Sequence, residues 1–248
     1  MCYGNAARPP EHGITGEVAS ERDLVLASSD GTRFSAREAR PARPNGTGIV
    51  VMPDVRGLHA FYCALGRSFA EAGCETIVFD YFGRTAGLTE GREEEFDFMA
   101  HVKQLDPGTV AEDTRAAIEH LRALGTVDRI FTLGFCLGGA LSWRQSADQD
   151  GLAGAIGFYG IPGRARDAIP RMKAPLLLLQ AGADRATSPE DSAAFDGELT
   201  AAGVTHHAVT YEGAPHSFFD RSYAEYAEAC SDAWRQIFDF TGVAHDKR

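Results

Sequence analysis

The stretch Gly134-Phe135-Cys136-Leu137-Gly138-Gly139 restricts the possible folds more than any other part of this chain. It follows the apolar run Arg129–Leu133 and leads into Ala140-Leu141-Ser142-Trp143, a helix-compatible segment. A residue at such a strand-to-helix bend is held in a strained conformation and projects its side chain above the sheet. Glycines two positions before and two after it remove the Cβ atoms that would collide in so sharp a turn. The pattern predicts a strand, a tight bend carrying Cys136, and a helix.

The rest of the chain has a matching rhythm. Short apolar runs at Gly48–Met52, Glu75–Phe79, Arg129–Phe135, Ala153–Tyr159, Pro175–Gln180 and His207–Tyr211 alternate with amphipathic stretches. Several runs are apolar throughout, as in strands covered on both faces. Between them, Phe61, Leu65, Phe69 and Ala72 form one helical stripe, and Thr114, Ala117, Ile118, Leu121 and Leu124 form another. A last helix is expected to line up Tyr223, Tyr226, Ala227, Cys230, Trp234, Ile237 and Phe238. Such alternation predicts an α/β fold with a doubly wound, mainly parallel central sheet flanked by helices. Ligands on these sheets bind at the carboxyl ends of the strands.

Ahead of this pattern, segments 17–28 and 31–40 flank Asp30-Gly31 and predict an opening hairpin. Residues 1–16 read as a poorly ordered arm, and 17–248 as a single domain. A chain of 248 residues can bury about three-quarters of its unfolded surface without covalent staples.

The charge balance, 24 Lys+Arg against 35 Asp+Glu, gives a net charge of -11. That field repels phosphate backbones and anionic bilayers, so neither nucleic acid nor membrane is an expected partner. The run Glu93-Glu94-Glu95 reads as a solvated first helical turn. Five cysteines at irregular spacing form neither a disulfide framework nor a zinc pattern. Cys63, Cys74 and Cys230 read as small buried hydrophobes. The start of the chain has no signal-peptide core and no run approaches a membrane span, so a cytoplasmic protein is expected. The oligomeric state is not legible.

Two further residues give Cys136 a chemical context. Asp184 stands just past the predicted strand Leu176–Gln180, in Ala181-Gly182-Ala183-Asp184. His216 stands just past His207–Tyr211, in Gly213-Ala214-Pro215-His216-Ser217-Phe218. The order nucleophile, acid, histidine matches the one that folds of this type use. His216 would take the thiol proton and return one to a leaving group, with Asp184 fixing its tautomer. A helix N-terminus favours the thiolate through its free N–H groups and dipole. Two backbone N–H groups are expected to hold a developing oxyanion: that of Leu137, and that of Val55 in Met52-Pro53-Asp54-Val55-Arg56-Gly57.

With these residues in view, the chain resembles the dienelactone hydrolase family. The resemblance is carried by Val51-Met52-Pro53-Asp54-Val55-Arg56-Gly57, Asp80-Tyr81-Phe82-Gly83-Arg84, the cysteine bend, Gly182-Ala183-Asp184 and His216-Ser217-Phe218-Phe219. It extends from about Gly48 to the C-terminus. The resemblance implies an α/β-hydrolase fold, a Cys–His–Asp triad, and cofactor-free, metal-free hydrolysis of a small ester or lactone. It also implies that Asp54 stands where an acidic residue pairs with the thiol before substrate binds. Arg84 and Arg221 stand where two arginines would hold a substrate carboxylate, a task for which the guanidinium fork is suited. The same three side chains could instead serve a phosphotriester or a peptide, and a non-catalytic ligand-binding module is a third reading.

Overall fold

The structure is a computed structural model that describes residues 8–92 and 96–245. The expectations for Glu93–Glu95 and for residues 1–7 lie outside the described residues.

The opening hairpin forms from β1 (Val18–Ala27) and β2 (Arg33–Pro41), paired antiparallel. Its turn closes through Ser28 N–H to Thr32 O at 2.9 Å and Thr32 N–H to Asp30 Oδ1 at 2.9 Å. Gly31 sits at φ 83°, where a Cβ would be strained. Then β3 (Gly46–Met52), α1 (Ala60–Glu71) and β4 (Glu75–Phe79) begin the alternation. After the short α2 (Gly83–Ala86) and α3 (Phe98–Val102) come α4 (Pro107–Ala123), β5 (Val127–Phe135), α5 (Leu137–Asp148) and β6 (Gly154–Phe158). The chain ends with β7 (Leu176–Ala181), α6 (Pro189–Ala201), β8 (His206–Tyr211) and α7 (Ala227–Thr241).

All eight strands join one sheet in the order β1-β2-β4-β3-β5-β6-β7-β8. The block from β4 to β8 is parallel throughout, and the hairpin adds antiparallel through the β2–β4 pair. This is the expected doubly wound α/β architecture. Strand geometry sends alternate side chains to opposite faces. Ile49, Val51, Leu177 and Leu179 pack toward α1 and α7, while Val50, Met52, Leu176 and Leu178 pack toward α4, α5 and α6. Both faces are covered, which is why the central strands are apolar without interruption.

Local signals set where the helices begin. α4 starts at Pro107, and its N-cap Asp106 accepts Thr109 N–H at 3.0 Å. α7 ends on Gly242 in the left-handed region. Its apolar face, Cys230, Trp234, Ile237 and Phe238, is buried as the spacing predicts. The start is later than expected, however, and Tyr223 lies outside the helix and is exposed. The Ser217 carbonyl collects the N–H groups of Asp220, Arg221 and Ser222 at 2.9–3.3 Å, so this segment folds as a turn of its own.

Residues 10–16 also depart from the expected poorly ordered arm. Trp234 donates its indole N–H to Pro10 O at 2.9 Å, the His12 ring meets Trp234 edge-on at 4.7 Å, and Gly16 N–H reaches Glu71 O at 2.9 Å. The segment caps the α1–α7 face because an exposed indole edge there needs an acceptor. Trp234 also packs on Phe69 and Phe238 at 4.9 and 5.3 Å, and truncating such an anchor to alanine costs roughly 3–5 kcal/mol. Among the described residues, no helix is long and apolar enough to cross a membrane.

Candidate active site

Cys136 lies between β5 and α5 with φ 54° and ψ -113°, a strained setting for a residue with a Cβ. Its N–H is tied to Phe158 O of β6 at 3.0 Å. Close approach explains the flanking glycines. A Cβ on Gly134 would lie 2.0 Å from Gly138 O, and one on Gly138 would lie 2.1 Å from Met52 O and 2.2 Å from Pro53 O. The loop after β3 is therefore seated directly on the first turn of α5. Helix geometry leaves the Leu137 N–H without an intrahelical acceptor. Leu137 and the partly buried Val55 pack in the same hydrophobic cluster.

The loops after β7 and β8 are joined to each other. Gly182 N–H reaches Tyr211 O and Ala183 N–H reaches Ala214 O, each at 2.9 Å. This pairing presents Asp184 to His216: Nδ1 of the ring lies 2.7 Å from Asp184 Oδ2. The other carboxylate oxygen accepts Ala186 N–H at 2.7 Å. Cys136 stands near enough to His216 to act on the ring's proton affinity. The three side chains expected to act together thus meet at the carboxyl ends of β5, β7 and β8. Burial depresses the His216 pKa, but the hydrogen bonds and charges of Asp184 and Cys136 outweigh it and raise the value to about 10. Cys136 is only partly buried.

Asp54 has a different partner from the one expected. Both its oxygens are held by Arg56: Nε lies 3.0 Å from each, Nη2 lies 2.8 Å from Oδ2, and Arg56 N–H lies 2.9 Å from Oδ1. A guanidinium two residues away on the same loop forms a bidentate fork that the short aspartate satisfies in place. Burial drives the Asp54 carboxyl upward in pKa.

Arg84 is likewise engaged. Its Nε and Nη2 bind Asp113 at 3.1 and 2.8 Å, and Nη1 binds Asp30 and Thr32 at 2.5 and 3.0 Å. Each guanidinium nitrogen has a partner from the β1–β2 turn or from α4. This corrects the carboxylate-clamp expectation for Arg84, since the opening hairpin claims the side chain. Arg221 is exposed, and only its backbone N–H is fixed, by Ser217 O at 2.9 Å and by Asp220 Oδ1.

Residues that sequence reasoning passed over complete the surroundings. Asp220, four positions after His216, is 2% exposed and accepts Tyr159 O–H at 3.3 Å. The Tyr159 ring lies 4.8 Å from the His216 ring, and Tyr159 itself holds φ 35° at the end of β6. Tyr81 donates to the carbonyls of Pro53, at 2.5 Å, and of Asp54, pinning the loop that carries Val55. Arg56 Nη2 reaches Tyr62 O–H at 3.5 Å. The Asp54-Val55-Arg56 spacing was a signal in plain view, but Asp220 reads as one of many surface acids until the fold buries it.

No group of three His, Cys, Asp or Glu residues placed to hold a metal ion occurs among the described residues. A cleft of about 250 Å³ opens beside Leu137, lined by Leu105, Pro107, Leu141, Arg144 and Arg164. A larger one, about 1200 Å³, lies between residues 11–14 and α7.

Known proteins share both the pattern and the fold. A chain from Saccharolobus solfataricus is 32% identical over 257 residues, covering 87% of this chain and 96% of its own length. The carboxymethylenebutenolidase of Rhodococcus opacus is 28% identical over 257 residues, covering 97% and 96%. A crystal structure from Klebsiella pneumoniae superimposes with a TM-score of 0.76 at 24% identity, covering 91% of this chain and all of the other. The dienelactone hydrolase family model matches residues 34–244, and the chain belongs to that family.

Proposed function

We propose that the hydrolysis of ester or lactone bonds shared by this family runs here through a thioester on Cys136. The observation that carries the reading is the His216–Asp184 hydrogen bond at 2.7 Å, with Cys136 at the strained bend acting on the same imidazole. A raised His216 pKa favours an imidazolium beside the sulfur, and an imidazolium is the partner that a thiolate nucleophile requires.

The Cys136 thiolate attacks the carbonyl carbon, forming an S–C bond, and the carbonyl π pair moves to oxygen. The N–H groups of Leu137 and Val55 hold that oxyanion, each contributing about 3–4 kcal/mol at the transition state. Collapse expels the alkoxide, which takes the Nε2 proton of His216. In a lactone this alcohol stays tethered to the acyl group. Water then attacks the thioester while His216 accepts its proton, and departure of the thiolate restores the free site. Asp184 holds the ring and offsets its charge throughout.

The test is direct. Mass spectrometry after a slow aryl ester should find the acyl group on Cys136. Cys136→Ala should lower kcat by about 10⁴-fold or more. Retention of full turnover by that variant would refute the proposal.

A further inference from the structure

We propose that Asp220 is a positioning residue for the imidazole of His216, acting through the ring of Tyr159. Asp220 is buried four positions after the histidine and accepts the Tyr159 hydroxyl at 3.3 Å, and the Tyr159 ring lies 4.8 Å from the His216 ring. The proposal rests on the reading of Cys136 as nucleophile and His216 as its proton carrier.

The first ground is what the Asp184 hydrogen bond leaves free. It holds His216 by one edge, at Nδ1. A ring held so can still tilt about that bond and turn Nε2 away from the reacting atoms. Contact on a ring face blocks the tilt, and Tyr159 supplies it at an interplanar angle of 54°. Misplacing a proton carrier by roughly 1 Å can cost on the order of 10²-fold in rate, so a fixed wall beside the imidazole bears directly on turnover.

The second ground is how firmly Tyr159 is held. It directly follows β6 at φ 35°, a left-handed setting that costs a residue with a Cβ roughly 1–3 kcal/mol. Its N–H is tied to Leu179 O at 2.8 Å, and its ring meets Phe218 edge-on at 5.7 Å. The preceding residue, Phe158, accepts the Cys136 N–H at 3.0 Å, so the wall beside the histidine is continuous with the tether of the nucleophile. Asp220 fixes the hydroxyl end. It stands in the turn built on the Ser217 carbonyl, which takes its N–H at 3.3 Å, and its Oδ1 accepts the Arg221 N–H. A cap for that turn needs Oδ1 alone and could stay in water. The oxygen bound to Tyr159 is the one that reaches the ring beside His216. Backbone from His216 to Asp220, hydrogen bond to Tyr159 and ring contact back to His216 therefore form a closed circuit.

Four variants test the circuit at pH 8 with a p-nitrophenyl ester: Asp220→Ala, Asp220→Asn, Tyr159→Phe and the double variant Asp220→Ala/Tyr159→Phe. Asp220→Ala and Tyr159→Phe should each lower kcat per folded molecule by about tenfold, with KM within about twofold of wild type. The double variant should fall no further than either single one, because all three lose the same bond. Asp220→Asn should keep kcat within about threefold, since its amide still bonds both the hydroxyl and the Arg221 N–H although the charge is gone. By NMR, the His216 Nδ1 proton should give a sharp line in wild type and Asp220→Asn. It should broaden by solvent exchange in Asp220→Ala and Tyr159→Phe.

Asp220→Asn falling as far as Asp220→Ala would overturn the proposal, because charge and not the bond would then be acting. Multiplying effects in the double variant would overturn it too. Should Asp220→Ala fail to fold, the near-isosteric Tyr159→Phe decides, and a kcat within about twofold of wild type there refutes positioning. Wild-type turnover with no acyl group on Cys136 would refute the nucleophile reading instead. The His216 proton lines still decide positioning in that case: broadening in the variants supports it, and unchanged lines overturn it.

Discussion

Two clusters in this molecule each set one arginine near two aspartates, and they do different work. Arg84 makes direct ion pairs with both Asp113 and Asp30 and so ties the β1–β2 turn to α4. Arg56 makes a direct pair with Asp54, while Asp220 bonds Tyr159 and the backbone of Arg221. The first cluster is closed and serves as scaffold. The second lies within electrostatic reach of His216, so its charges bear on the chemistry. The lesson is that composition does not assign a role to a charged group. Its distance from the nucleophile and the saturation of its partners do.

Breaking each cluster at its arginine separates the two roles. Arg56→Leu is expected to have the larger effect, because it strands Asp54 as a buried unpaired carboxylate. A loss of roughly 3–5 kcal/mol in denaturant melts is expected, together with a fall in kcat/KM per folded molecule. Stability within 1 kcal/mol of wild type would mean that the loop after β3 is held by Tyr81 and not by the ion pair. Arg84→Leu should cost less, roughly 2–3 kcal/mol, because Asp113 is fully buried but the guanidinium itself is partly open to water. Its kcat/KM per folded molecule should stay within about threefold of wild type. A drop of a hundredfold or more with neutral esters would put Arg84 back in the site and dissolve the comparison.

A further effect concerns pH. The folded pKa of His216 is raised to about 10, above its ordinary 6.5, so folding binds the proton more tightly than the unfolded chain does. The stabilisation is therefore complete below about 6.5 and is lost as pH climbs through about 10. Thermal melts from pH 6.5 to 10 should decline in wild type, and the decline should be shallower in His216→Gln. The ring proton seen by NMR should persist toward pH 10 and titrate earlier in Cys136→Ser, where the sulfur's contribution is gone. Identical titrations in the two proteins would show that Asp184 alone sets the value.

How much of this was legible beforehand varies with the range of the interaction. The runs that became β3 to β8 could be read to within two residues, because burial on both faces leaves an apolar signature in the local chain. The bend at Cys136 was legible for a similar reason, since its glycines answer contacts of 2.0–2.2 Å with backbone that any such fold brings close. The late start of α7 was not, because Tyr223 fits the helical stripe and only the turn built on the Ser217 carbonyl ends that register. The packing of residues 10–16 was hidden too, for it depends on Trp234, 224 positions away from Pro10.

By itself, then, the sequence determined the strand–helix alternation, the strained cysteine and the order in which Asp184 and His216 follow it. Those features are written in short-range patterns of size and polarity. Tertiary structure alone decided which carboxylate each arginine would hold. Arg84 had Asp113, 29 residues away, and Asp30, 54 residues away, as partners that no local pattern marks. Charge pairing depends on distance in space and on the loss of water, and a linear chain specifies neither until it has folded.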